Sequence, residues 1–195
     1  GEYALAKPLS VFLNKHPEMN MHIIYGNAEQ LLAKLDNGEI HFALIEGYFP
    51  SHKYEQLLYY TDSFICVCAK NHTFSQKVNH IEDLLNERIL VRETGSGTRD
   101  LLDSYLKTYN LSYLDFKNHL EIESISSIIS LLKNDCGISF LYRLSVEEEL
   151  KNGSLKEIKI QNLPLHHDTT FLWNKNSVYS KQYKEICKEL IGEYK

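Results

Sequence analysis

Short apolar runs rich in β-branched and aromatic residues alternate along this chain with stretches of helical spacing, and that alternation most restricts its fold. Leu5, Leu9, Phe12 and Leu13 recur at i, i+4, i+7 and i+8, one face of a helix. His16-Pro17 ends that helix, because the residue before a proline is pushed out of the α region. "MHIIY" (21–25) reads as a strand left through a Gly26-Asn27 turn. Leu31, Leu32 and Leu35 make a second helix that Asn37-Gly38 closes. "HFALIEG" (41–47) and "SFICVCA" (63–69) are nearly continuous apolar runs, as expected of strands buried on both faces.

A second set of elements repeats the pattern. Asn79 with Glu82 has the spacing of a capping box opening a short helix. "RILVRE" (88–93) is a strand, followed by a glycine-rich turn and a helix marked by Leu101, Leu102, Tyr105 and Leu106. "LEIES" (120–124) is a strand, and Ile125, Ile128, Ile129 and Leu132 make the helix after it. "GISFLY" (137–142) is another apolar strand. Ser145 and Glu148 then suggest a capped helix that Gly153 ends, and "LKEIKI" follows as an alternating strand. "DTTFLWN" (168–174) precedes a final helix whose apolar face holds Tyr183, Ile186, Cys187, Leu190, Ile191 and Tyr194. Strands that alternate with helices throughout predict an α/β architecture with mainly parallel sheets.

Bulk properties exclude several classes. With 195 residues the chain suits one large domain or two small lobes. A formal charge of −5 gives no argument for nucleic-acid binding by these residues. No run reaches the roughly 18 apolar residues of a membrane helix, and no signal peptide opens the chain. The start lacks Met and enters a helical pattern directly, as a fragment of a longer protein would. The expected setting is the cytoplasm, with Cys66, Cys68, Cys136 and Cys187 as reduced thiols, since no CxxC pair marks a zinc or redox site. His166-His167 lacks a third ligand nearby in sequence, so no metal or cofactor is expected.

"VRETGSGTRDLL" (91–102) is the stretch with most chemical content. A strand, a Gly-rich turn and a helix N-terminus form a ready anion site, because the first helical N–H groups lack partners and carry partial positive charge. Gly95 and Gly97 permit close approach of backbone, Ser96 and Thr98 add hydroxyls, and Arg99 adds a forked cation. The alternative is a capped turn with Thr98 as N-cap and Arg99 in solvent. Nucleotide motifs fail on spacing: "GSGTRD" lacks the P-loop lysine, and Asp100 stands where a Rossmann fingerprint needs its third glycine. Ser96 between adjacent glycines is no nucleophile elbow either, and no His, base or metal set accompanies it, so no catalytic residue is assigned.

Four stretches carry a family resemblance. "GEYALAKPLSVFLNKHPE" resembles the first helix of the effector-binding domain of LysR-type transcriptional regulators. "LDNGEIHFALIEG" is similar to that family's Leu-Asp…Val-Glu-Gly segment, with His41 in place of the usual Asp. "VRETGSGTRDLL" and "EIESISSIISLLKNDCGISFLYRLSVEEELKNGSLKEIKI" resemble its second-lobe segments, with Asp135 where glycine is usual. The resemblance covers almost the whole chain in the right order.

It implies the fold of type II periplasmic binding proteins, two Rossmann-like lobes joined by two crossover strands. Lobe one takes 1–69 and 165–195, and lobe two 70–164, with "CVCAKNH" and "IQNLPLH" as crossovers. The first strand of lobe one and the N-terminal winged helix-turn-helix are not among these residues, so DNA is a partner only through that missing part. The implied function is sensing of a small anionic effector in the interlobe cleft, which shifts lobe closure and the packing of a homodimer or tetramer. A solute-binding protein of a transporter is the competing reading. From lobe two the implied ligand-binding residues are Gly95, Ser96, Gly97, Thr98, Arg99 and Ser124. From lobe one they are Gly26, Asn27, Glu46, Gly47 and the neighbouring Tyr48. A carboxylate at Glu46 repels an anion, so it is expected either to bridge to Arg99 or another cation across the cleft or to be a solvent-facing strand end. Phe140 and Leu141 are expected in the core or as the floor of the site.

Overall fold

The computed structural model describes the backbone of residues 2–194 and the side-chain environments of residues 4–192. Gly1, Lys195 and the side chain of Tyr194, assigned above to the last helical face, lie outside the described residues. The chain divides into two compact units, one of Gly1–Thr61 with Asp168–Lys195 and one of Asp62–His167.

In the first unit the opening helix α1 (Glu2–Lys15) stops before Pro17 as its sequence predicts. It packs against the last helix α6 (Ser180–Tyr194), burying Phe12 between apolar faces. His16 Nε2 lies 3.0 Å from Glu189 of α6. Helix α2 (Ala28–Asp36) covers strand β1 (Ala43–Glu46), and Leu35, Ala43, Ile45, Tyr54 and Leu172 form one buried cluster. Each aliphatic side chain buried this fully contributes about 1.5–3 kcal/mol relative to exposure. β1 pairs antiparallel with strand β7 (Leu165–Asn174), Ala43 opposite Leu172 and Glu46 opposite Thr169.

Residues 21–25 do not form the expected strand. They are free of regular structure, with Ile23 39% and Tyr25 67% exposed. An apolar run becomes a strand only where a neighbour takes up its N–H and C=O groups, and β1 shares its ladder with β7, not with this segment. Strand β2 (Tyr54–Ala69), in contrast, is much longer than the expected 63–69. Its first half lies in the first unit, where Tyr59 donates to the Ala4 carbonyl at 2.8 Å and Thr61 to Asp168 at 2.6 Å.

The second unit holds the rest of β2 and the parallel strands that the pattern promised. Its strand order is β6 (Leu155–Ile158), β2, β5 (Ile138–Tyr142), β3 (Arg88–Val91) and β4 (Asn118–Glu121). β3 runs parallel to both its neighbours, β4 and β5, while β2 pairs antiparallel with β5 and β6. The sheet is therefore mixed, which corrects the expectation of mainly parallel pairing. Alternation along the strands assigns the two faces. Phe64, Cys66, Ile89, Val91 and Phe140 face helix α3 (Gly97–Lys107), while Ile65, Val67, Leu90 and Leu141 face helix α4 (Ile125–Lys133). Phe140 and Leu141 are thus core residues of opposite faces.

Two local expectations change, and the turn at Asp135 survives as Asp in the left-handed region allows. The turn at 79–82 is a 3-10 turn, Ile81–Leu84, and Asp83 caps it by accepting from the Asn79 and His80 N–H groups at 2.8 and 2.9 Å. Helix α5 (Glu147–Asn152) has Val146 at its N-cap, because Ser145 donates instead to the Tyr142 carbonyl at 2.7 Å. Asp135, in place of glycine, adopts φ 56° and is held there by His72 Nδ1 at 2.5 Å. All four thiols are free; burial pushes Cys68 and Cys187 up to about 12.

Candidate functional site

Because β3, β4 and β5 are parallel, their C-terminal ends lie along one edge of the second unit, with Val91 opposite Glu121 in register. The Ile122 N–H donates to the Val91 carbonyl at 2.9 Å and continues that ladder one step further. Two helix N-termini follow at this edge, α3 after β3 and α4 after β4. Such an edge, at the carboxyl ends of parallel strands, is where α/β folds place ligands.

The turn into α3 is built on Gly95. The Ser96 N–H donates to the Glu93 carbonyl at 3.2 Å, and Gly95 takes φ 88°, a left-handed conformation that a side chain disfavours. The N-cap is Ser96, not Thr98: the Asp100 N–H bonds the Ser96 carbonyl at 2.9 Å and the helix begins at Gly97. Ser96 makes no side-chain cap bond. Among the described residues, the backbone N–H groups of Gly97, Thr98 and Arg99 find no acceptor. Ser96 and Thr98 are 3% and 5% exposed, yet neither hydroxyl makes a hydrogen bond within the described residues. Neither hydroxyl oxygen is itself fully buried, so both of them, with the three idle N–H groups, are open to an acceptor-rich ligand.

Ser124 caps α4, accepting from the Ser127 N–H at 3.2 Å, and its hydroxyl lies 2.8 Å from that of Ser126. Its hydroxyl is therefore already engaged.

Arg99 does not stand in solvent; it is 6% exposed. Its Nε reaches both Asp103 oxygens, at 3.1 and 2.9 Å, and Nη1 bonds the Arg92 carbonyl at 2.8 Å and Glu121 at 3.1 Å. The guanidinium lies 4.0 Å over the Tyr113 ring. Burial alone works against its charge, but Glu121 and Asp103 outweigh that and hold its pKa above the ordinary value. These pairs all lie within its own unit.

The first-unit candidates form their own group. Asn27 is consumed by a capping box: Oδ1 accepts from the Gln30 N–H at 2.9 Å, and Gln30 accepts from the Asn27 N–H at 3.2 Å. Gly26 precedes it and has the Gln30 side chain against its backbone. Glu46 closes β1 and accepts from the Tyr60 hydroxyl at 3.3 Å, followed by Gly47 at φ 121° and the exposed Tyr48.

Among the described residues no cluster of His, Cys, Asp and Glu could hold a metal ion, and no helix is long and apolar enough to cross a membrane. Asp103, Glu121 and Tyr113 were not singled out from the sequence. Asp103 carried a signal, four residues beyond Arg99 on one helix; Glu121 and Tyr113 required the fold.

The family model described as the LysR substrate binding domain matches residues 1–193. A "Probable RuBisCO transcriptional regulator" of Chlorokybus atmophyticus is 25% identical over 198 residues; the match takes 100% of this chain and spans 63% of that relative's length. Among solved structures, the CcmR regulatory domain of Synechocystis PCC6803, in complex with 2-PG, superposes with a TM-score of 0.84 at 20% identity. That match covers 100% of this chain and 92% of the other. A sulfate-bound OxyR2 regulatory domain from Vibrio vulnificus gives 0.80 at 18% identity, covering 97% and 89%.

Proposed function

The chain belongs to the LysR substrate-binding-domain family, and from that premise we propose that it is the effector-sensing part of a transcriptional regulator whose effector is a small oxyanion or carboxylate. The carrying observation is the turn at 95–99, where the solvent-reaching hydroxyls of two otherwise buried residues and three N–H groups lack partners among the described residues. All of these can donate, and they sit at the positive end of the α3 dipole. A ligand rich in acceptors completes them; an apolar one does not. The sulfate-bound relative supports the same class of ligand.

In this reading the anion binds Ser96, Gly97 and Thr98 directly, Gly95 sets the turn, and Ser124 supports the adjoining helix end. The effector acts by binding one arrangement of the regulator more tightly than another, since a ligand without differential affinity shifts nothing. DNA contact and assembly into dimers or tetramers belong to the full-length regulator. The reading contains no chemical step on the ligand.

A thermal-shift screen of sulfate, phosphate, nitrate and small carboxylates tests it, with the Ser96→Ala, Thr98→Ala double variant as control. At a hundred times its Kd a ligand stabilises by about 2.7 kcal/mol, which is about 5–10 °C in Tm for a chain of this size. If no anion raises the wild type above the variant, the assignment fails.

A further inference from the structure

Arg99 is the only cation joined to both turns at the ligand edge among the described residues, and its Nε and Nη1 are committed there. Its Nε grips Asp103 one turn along α3. Nη1 is shared between the Arg92 carbonyl, at the exit of β3, and Glu121, the last residue of β4. Tyr113 backs the guanidinium plane. One planar group thus ties together the helix carrying Ser96 and Thr98, the strand feeding that helix, and the strand feeding Ser124. The backbone bond from Ile122 to Val91 and the β3–β4 ladder also tie this level.

We infer that Arg99 is a positioning residue for the oxyanion site: it fixes the Gly95–Thr98 and Ile122–Ser124 turns and gives the ligand no charge of its own. This rests on the oxyanion reading above. Two observations carry it beyond that reading. Swinging the guanidinium to a ligand would break four hydrogen bonds and strand two carboxylates, and Asp103 and Glu121 already balance its charge. Arg92, the other cation in this stretch, is closed in a forked pair with Glu93 at 2.8 and 3.0 Å. Hence the negative charge of the ligand is met by neutral donors, backbone N–H groups and hydroxyls, whose positions matter more than any net charge. Lysine could keep the charge of Arg99 but not its planar fork.

The test compares wild type, Arg99→Lys, Arg99→Gln and Glu121→Ala by sulfate calorimetry and by nitrogen-15 relaxation without anion. Arg99→Lys should weaken sulfate about tenfold, the equivalent of one charge-assisted hydrogen bond. The order parameters of both turns should fall from the rigid range of about 0.85. Glu121→Ala, which leaves the Asp103 contact and replaces a half-exposed side chain, should loosen 122–124 and weaken sulfate without unfolding the chain. Wild-type affinity in Arg99→Lys together with loss in Arg99→Gln would show that the charge acts directly and overturn the inference. If the wild type takes no sulfate, the oxyanion reading falls separately; unchanged order parameters in Arg99→Gln would then overturn the positioning role by themselves.

Discussion

Replacing Thr98 by Val separates a binding group from a folding group, because the ligand should register the change and the fold should not. Val keeps the shape of Thr and its helix propensity, so only the hydroxyl is lost. That hydroxyl belongs to a residue 5% exposed and has no partner among the described residues. The oxygen itself still reaches solvent, so Thr98→Val should change the stability of the anion-free protein by about 0.5 kcal/mol or less, within about 2 °C in Tm at this length. Sulfate binding should weaken, since one hydrogen bond to a charged acceptor contributes about 1.5–3 kcal/mol, roughly 10- to 100-fold in Kd. Calorimetric unfolding in a buffer free of oxyanions measures the first effect, and titration with sulfate the second. A lower Tm for the variant without anion would mean that the hydroxyl serves the fold. An unchanged sulfate affinity would mean that it does not serve the ligand. Either result breaks the argument.

Two further predictions concern the frame of the site. Gly137→Ala should cost more than about 3 kcal/mol, because a Cβ there meets the Arg88 carbonyl at 2.3 Å where φ is already 141°; wild-type-like denaturant unfolding would refute the clash. Tyr54 donates to Asp36 at 2.7 Å, and this bond, ahead of Lys53, holds the Asp36 carboxyl below its ordinary value while burial, then Asp36, pushes Tyr54 up to about 12. The depressed carboxyl contributes stability that is present above its unfolded pKa and lost as pH falls through the folded one. The raised phenol contributes stability that is present below about pH 10 and lost as pH rises towards 12. Tyr54→Phe should flatten both limbs of a stability-versus-pH curve measured with urea, and limbs as steep as the wild type would exclude this pair as their source.

Much of the frame was legible where burial alone decides the residue types. "GISFLY" and "SFICVCA" are nearly continuous apolar runs because helices cover both faces of their strands, and α1, α3, α4 and α6 announce themselves by spacing. The first half of β2 was not legible. Glu55 and Gln56 face solvent between the buried Tyr54 and Tyr59, so the segment lacks both a continuous run and strict alternation. Residues 21–25 failed in the opposite way, with strand composition but no ladder. Composition reports what a strand buries, and pairing depends on a neighbour that a local window does not contain.

The site divides along the same line. Ser96, Gly97 and Thr98 could be named from spacing, because a strand, a glycine turn and a helix start bring their own unpaired N–H groups wherever they occur. The role of Arg99 could not, because its meaning is set by Glu121, which is 22 residues away in sequence and adjacent only through the parallel register of β3 and β4. Read locally, an arginine beside a helix N-terminus looks like an anion's counter-charge. With Asp103, Glu121 and the Arg92 carbonyl around it, the same arginine is spent on holding the donors in place. Under the proposed oxyanion reading, a site so arranged selects for the number and direction of acceptors on its ligand rather than for its charge, and sulfate affinity should fall little at salt concentrations that screen an exposed ion pair.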